Sequence, residues 1–418
     1  MAATSANKLF DSIIYTNYAP YGNAGNILDY LIAACTDLIY VSFVFHPVSK
    51  SERNRLEIYH KGSMVAQKFM PTFRVPKKHV HRLTPILSVL SSIELIIAVI
   101  YGSIKIKPKH AVFFSPNAFL VNVGILLRRL SLVNKVIFWI WDYYPTDHSE
   151  MLRRILNGMY WVLDKRATKQ ADYDWYISAR LLELREQRGV NLSEKRHIIA
   201  PLGIDVIGHE LPPSMTTIGF LGVLKRGQGL ELLFDSLDKL VETIPHVKIE
   251  IIGSGPDEDR FISKAAASRH GHVISFRGFV EDEDEVKRTV ASWSVALALY
   301  TPSPDNLSIY ADPAKVRLYL GCGVPVIMTD VPLLAGEVAR EGAGKIVAYN
   351  SQELISGIVE LLDDNQRFRQ KSLHMATRYE YRKLYGMVFE KIARNLWPDA
   401  GSSADKDNKR SNVTDKNT

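Results

Sequence analysis

Short apolar runs and helical patterns alternate along this chain in two series separated by a single break, and that alternation leaves few folds open. In the first series Ser12 to Thr16, Leu38 to Phe45, Ala111 to Phe114, Val136 to Ile140 and Trp175 to Ser178 read as strands. Ile27 to Ala34, Ile86 to Tyr101, Phe119 to Leu130 and Met151 to Gln170 read as helices between them. Strands that take turns with helices build parallel sheets covered on both faces. Pro201, Gly203, Pro212 and Pro213 then punctuate a linker, after which the alternation restarts at Ile218 and runs through Lys345 to Val347. The pattern predicts an α/β chain of two doubly wound domains facing across a cleft. The expected boundaries are 1–198 for the first domain, 199–216 for the linker and 217–378 for the second domain. A last helix over 379–398 and a polar tail over 399–418 with almost nothing to bury complete the chain.

Charge divides along the same line. Through residue 198 there are 26 Lys/Arg against 15 Asp/Glu, a net +11, and the remainder carries −4, which together make the overall +7. A basic first half suits an anionic membrane surface, a phosphorylated acceptor or a nucleic acid, and charge alone does not choose among them. Only Cys35 and Cys322 occur, far apart and without metal-ligand spacing, which excludes a disulfide scaffold and fits a reducing cytoplasm. The N-terminus has no apolar leader-like run, so a cytoplasmic protein is expected. The longest apolar stretch, Ile86 to Tyr101, is interrupted by Ser88, Ser91, Ser92 and Glu94, and it reads as a mostly buried domain helix rather than a membrane span.

The densest chemistry lies in Asp312-Pro-Ala-Lys-Val-Arg-Leu-Tyr-Leu-Gly-Cys-Gly-Val-Pro-Val-Ile327. Asp312 and Pro313 read as a helix entry, an Asp N-cap followed by a proline at the first helical position. Lys315 in the first turn opposes the helix dipole, an arrangement that makes sense when an anion sits between the lysine and the helix amides. Three further turns are of the phosphate type. Tyr18 to Asn26 carries Gly22 and Gly25 after the first strand. Ile218 to Leu233 carries Gly222 with Lys225 and Arg226, and Ile249 to Pro256 carries Gly253 and Gly255. Glycines in such turns let backbone amides approach a phosphate closely.

Taken together, these segments resemble family 4 glycosyltransferases of the GT-B fold, whose signature reads Pro-x-Lys-x-x-Glu-Tyr-x-x-x-Gly-x-Pro-Val-Ile. The resemblance implies two Rossmann-like domains and transfer of a sugar from a nucleotide diphosphate sugar to an acceptor hydroxyl, with retention at the anomeric carbon. It implies a role in polysaccharide or glycolipid synthesis, a saccharide or lipid-linked acceptor, and no nucleic acid. Lys315, with Lys225 or Arg226, would stabilise the leaving diphosphate, so that no metal and no further cofactor is needed. Val223 and Gln228 stand where the family has an arginine and a lysine. Val273 to Val280 resembles the strand and loop that hold the base, which makes Phe279 and Val280 donor contacts. Tyr310 and Leu318 fall where the family carries two glutamates. Either Asp312 or Asp305 substitutes from the preceding loop, or the donor is held mainly by phosphate and base.

In the first domain, Val136 to His148 delivers Asp142 to a strand end, with Trp141 where the family has a histidine. Asp142 either orients the acceptor hydroxyl or caps a turn. Asp172 and Asp174 read as a turn rather than a metal site. Met64 to Arg82 interleaves Met64, Phe69, Met70, Phe73 and Val75 with Lys68, Arg74, Lys77, Lys78 and Arg82, and reads as a long basic loop able to lie on an anionic membrane. Two other functions share this pattern: a nucleotide-sugar epimerase of the same fold, and a catalytically silent scaffold that would explain the missing glutamates.

Overall fold

The computed structural model describes residues 10–18, 21–44, 53–73, 80–146, 150–192, 196–207 and 216–397. The linker residues 208–215 and the tail from 398 onward lie outside the described residues, as do Arg74 to Lys78 of the expected basic loop. The chain divides into two units, one made of residues 1–200 and 382–418, the other of residues 201–381.

The first unit is built on β1 (Ser12–Tyr18), α1 (Ile27–Ala34), β2 (Asp37–Phe43), β3 (Arg55–His60), β4 (Ser63–Phe69), α2 (Val80–Ile106), β5 (Ala111–Ser115), α3 (Ala118–Arg129), β6 (Lys135–Ile140), α4 (Met151–Gln170), β7 (Tyr173–Tyr176), α5 (Ala179–Gln187) and β8 (His197–Ile199). Its eight-stranded sheet has the order β4-β3-β2-β1-β5-β6-β7-β8. The six strands from β2 rightward are parallel, while β3 and β4 join antiparallel at the left edge.

That hairpin corrects the expectation of a basic loop starting at Met64, since Met64 to Phe69 are paired strand. Leu56 and Ile58 are buried two residues apart, and Lys61 and Gly62 turn the chain with φ of 52° and 83°. Two successive positive φ values match the twist of a two-residue hairpin. Lysine at the first of them conceals the turn in the sequence, because Asn or Asp is the usual signal there.

The long helix differs too. It runs over Val80–Ile106, well beyond the expected span, and only its inner face is covered. Leu87, Leu95, Ala98 and Val99 are buried, and Gly102 sits so close to the sheet that a Cβ would come within 2.6 Å of Ile39 Cδ1. The opposite face is exposed, so the expectation of a mostly buried helix holds for half of its circumference.

The second unit comprises β9 (Thr217–Leu221), α6 (Leu230–Asp235), α7 (Leu237–Thr243), β10 (Lys248–Ile252), α8 (Glu258–Ala267), β11 (Ile274–Gly278), α9 (Glu283–Ala291), β12 (Val295–Ala298), α10 (Ala314–Gly321), β13 (Val326–Met328), α11 (Leu334–Glu341), β14 (Gly344–Ile346), α12 (Ser351–Asp363) and α13 (Asn365–Arg378). All six strands are parallel, in the order β11-β10-β9-β12-β13-β14. Two apolar cores fill it, one centred on Ile218, Leu233 and Ile251, the other on Trp293, Tyr319 and Val326.

The chain then returns to the first unit through α14 (Tyr381–Leu396). Read in sequence this helix trails the second domain, but its aromatic side chains close the first. Phe389 packs edge-on against Phe114, Trp175 and Phe10, and stacks on Tyr30 at 5.6 Å. Rings of this size bury large apolar areas and favour such edge-to-face contacts. Strands β5 and β7 present Phe114 and Trp175 on the face that α14 covers.

Candidate active site

In an open doubly wound sheet, ligands bind where the strand order reverses, beyond the carboxyl ends of the strands. In the second unit that point lies between β9 and β12, since the chain leaves β9 toward β10 on one side and β12 toward β13 on the other. The turn after β9 and the helix α10 therefore flank one place. Gly222 and Lys315 meet there: a Cβ on Gly222 would lie 3.6 Å from Lys315 Nζ.

The glycines of the three neighbouring strand ends are packed backbone to backbone. Gly222 N donates to Ile252 O, and Gly253 N donates to Gly278 O at 2.8 Å. Gly253 has φ of 133°, and a Cβ there would fall 2.0 Å from Gly222 O, while one on Gly255 would fall 2.3 Å from Leu224 O. Only glycine fits these positions, whatever ligand is present.

Lys315 is half-buried in the first turn of α10. Its ammonium lies 4.4 Å from the centre of the Phe220 ring and 4.8 Å from that of Tyr300, and donates to Gln228 Oε1 at 2.9 Å. Ring faces and a neutral amide stabilise a cation without neutralising it. Among the described residues no carboxylate forms an ion pair with Lys315 or Lys225. Removal from water, and then the charge of Lys225, lower the Lys315 ammonium from 10.5 to about 7. A half-buried lysine in the field of the exposed Lys225, with no acid paired to it among the described residues, leaves an unmet demand for an anion. Gln228 occupies the position where the family resemblance has a lysine, so the side chain that departs from the motif is the one that holds Lys315.

Other expected donor residues take varied places. Lys225 and Arg226 are exposed on the turn after β9, where Arg226 N donates to Asp257 Oδ2. Phe279 is 46% exposed and Val280 half-buried just past β11. Tyr310 is half-buried in the loop before α10, and Asp305 is exposed on the same loop.

Asp312 needs a correction. Both of its carboxylate oxygens accept from Arg317, at 2.7 to 3.2 Å, and one also accepts from Leu202 N at 2.8 Å. The pair is buried, so Asp312 is committed to holding Arg317 and the segment at Leu202 rather than to a ribose. Nor does it cap the helix. Pro313 is the N-cap, and no side chain accepts from the first-turn amides. Proline immediately after Asp312 keeps that residue one step short of the cap, which spacing alone does not reveal.

In the first unit, the turn after β1 is tight for internal reasons. A Cβ on Gly22 would fall 1.8 Å from the Tyr40 hydroxyl, and Gly25, at φ of 63°, accepts from the Tyr385 hydroxyl at 2.7 Å. Asn23 Oδ1 accepts from Leu28 N and Asp29 N, so two amides at the start of α1 are already engaged. The phosphate reading of Gly22 and Gly25 thus rests on fewer donors than the turn suggests.

Asp142 is exposed just past β6, and the Tyr144 hydroxyl reaches it at 3.5 Å. That carboxylate raises the Tyr144 phenol well above its ordinary value. Tyr144 packs edge-on against Tyr160 of α4 at 4.7 Å, an aromatic setting that sequence reasoning did not assemble because Tyr160 lies on a separate element. Asp172 is taken up by Arg128 and by Val136 N, and Asp174 is fully buried on β7. Among the described residues no group of three or more acids, histidines or cysteines could hold a metal ion.

Comparison with known proteins places this geometry. Residues 215–364 match the family described as glycosyl transferases, group 1. No curated protein sequence matches. Sucrose-phosphate synthase from Thermosynechococcus elongatus is 14% identical, with a TM-score of 0.65 over 94% of this chain and all of that one. An E. coli structure of trehalose-6-phosphate bound with UDP-2-fluoro glucose is 12% identical, with a TM-score of 0.63 over 92% of this chain and 99% of that one. Anabaena HepE in complex with UDP and glucose is 14% identical, with a TM-score of 0.58 over the same shares. These likenesses show the GT-B fold, and the group 1 match falls on the unit that carries Lys315.

Proposed function

We propose that this chain is a glycosyltransferase that binds a nucleotide diphosphate sugar in its second unit and transfers the sugar to an acceptor hydroxyl. The observation that carries the reading is Lys315 beside Gly222 at the switch point of a glycine-lined sheet edge, with no acid paired to it among the described residues. The group 1 match over the same residues supports it, as do UDP or a UDP-sugar in two fold relatives.

Chemically, the diphosphate gains negative charge as its bond to the anomeric carbon breaks. Lys315 Nζ, oriented by Gln228 and walled by Phe220 and Tyr300, is placed to stabilise that charge, and Lys225 adds to the field. Gly222 keeps a side chain out of the space beside Lys315 Nζ, while Gly253 and Gly255 let the neighbouring turns close on one another. The reading extends to retention of configuration and to a saccharide or lipid-linked acceptor, with Asp142 orienting its hydroxyl.

A silent scaffold has one observation in its favour: Tyr310 and Leu318 stand at the glutamate positions, and Asp312 is committed to Arg317. Release of nucleoside diphosphate from UDP-, GDP-, ADP- and TDP-sugars, with wild type and Lys315→Ala side by side, separates the readings. Turnover that Lys315→Ala reduces by about 100- to 1000-fold supports transfer. Absence of turnover with every donor and a panel of acceptors overturns it, and sugar isomerisation without an acceptor points to an epimerase.

A further inference from the structure

We propose that the outer face of α2 and α4 is a docking surface for an anionic lipid bilayer. The first observation is a line of apolar side chains on α2. Ile86, Val89, Ile93, Ile97, Ile100 and Ile104 are all at least 41% exposed. Their positions advance by 3.6 residues on average, the repeat of the α-helix itself, so the line runs parallel to the helix axis for about 27 Å. A contiguous exposed stripe of this length is not what a soluble surface ordinarily carries.

A second line lies on α4. Met151, Ile155, Met159 and Val162 are exposed at the same repeat, and α2 packs against both α3 and α4 on one face of the sheet. Leu126 on α3 and Leu130 just past its end are exposed as well. The three helices thus offer apolar side chains on one outer face of the first unit.

Charge selects the occupant. Arg82 is exposed at one end of the α2 line, and Lys105, Lys107 and Lys109 are exposed at the other. Glu94, the one acid in α2, is half-buried and accepts from Asn54 Nδ2 at 3.1 Å. On α4, Asp164 is buried against Arg185, and the exposed N-cap Glu150 is paired with Arg153. A second copy pairing through this face in either direction sets cations against cations with no acid on α2 to balance them. An anionic bilayer suits both the apolar line and the charge: it is flat, and its headgroups pair with lysines at the rim while the isoleucines enter the acyl boundary. The helix lies on the bilayer rather than crossing it, because its inner face is packed on β2 and β3.

The test is cosedimentation of the full chain with phosphatidylglycerol–phosphatidylcholine vesicles and with phosphatidylcholine alone, at low and high salt, together with light scattering of the free protein. Binding to the anionic vesicles that weakens with salt is expected. The triple variant Lys105→Gln, Lys107→Gln, Lys109→Gln should lower that binding by about 100-fold, each lysine near the surface contributing roughly fivefold. Ile93→Glu with Ile97→Glu should abolish it, while Ile262→Glu, at an exposed position on α8, should leave it unchanged. Ile97→Cys carrying a polarity-sensitive fluorophore reports insertion directly, since Cys35 and Cys322 are buried. Failure to bind either vesicle, or a fluorophore that stays in water when the protein is bound, overturns the proposal. So does a concentration-dependent dimer that Ile97→Glu dissolves, which assigns the face to a second copy.

Discussion

If Lys315 meets the donor diphosphate as proposed, its surroundings tie donor binding to pH in a definite direction. Removal from water, and then the charge of Lys225, lower the Lys315 ammonium from 10.5 to about 7, so its surroundings disfavour the charged form. Folding therefore releases a proton from Lys315 between pH 7 and 10.5. Because the unfolded chain binds more protons in that window, this residue makes the ligand-free protein more stable as pH rises through it. A bound diphosphate reverses the balance, since opposite charge favours the ammonium.

Binding of UDP should then take up close to one proton at pH 8 to 9, and affinity should fall by up to about tenfold for each pH unit above 7. The terminal phosphate itself titrates near pH ~6, so measurements from pH 7.5 upward isolate the lysine. Calorimetric titration in two buffers of different ionisation enthalpy counts the proton. Lys315→Gln should bind weakly with no proton uptake, and Lys315→Arg, always charged, should bind with little pH dependence. An affinity that stays flat from pH 7.5 to 9.5 with no proton taken up would refute the reasoning and place the anion elsewhere.

Arg317→Ala leaves the Asp312 carboxylate buried without its partner, and denaturant unfolding should show a loss of about 3–5 kcal/mol; an unchanged midpoint would free Asp312 for a role in donor binding. Gly253→Ala should destabilise the second unit and prevent UDP binding, because its Cβ would meet Gly222 O at 2.0 Å, and thermal unfolding with and without UDP reads both effects. Phe389→Ala should cost about 3–5 kcal/mol in the first unit, measurable by the loss of protection of β5 and β7 amides in hydrogen exchange. Transfer should persist in excess EDTA if Lys315 meets the diphosphate charge as proposed; complete loss restored by magnesium or manganese would reverse that expectation.

The parallel strands of both sheets and the glycine turns were legible in the sequence, because both are local: period and punctuation report strands and helices, and a strand-end glycine reports a close backbone approach. The place of Lys315 in the first turn of a helix was legible for the same reason, since the helix entry at Pro313 is local. What the sequence could not show depends on residues far apart in the chain. Gln228 and Lys315 are 87 positions apart, and only the switch point between β9 and β12 brings them within a hydrogen bond. Asp312 looked like a cap until Leu202, 110 positions away, and Arg317 claimed its oxygens. The final helix belongs to the first unit because Phe114, Trp139 and Trp175 leave an apolar face that Tyr385 and Phe389 cover. The apolarity of α2 was plain in the sequence, but which half of it meets the sheet was not. Periodicity identifies a stripe by its repeat, and a helix apolar on most sides carries no contrast by which to tell the buried face from the exposed one.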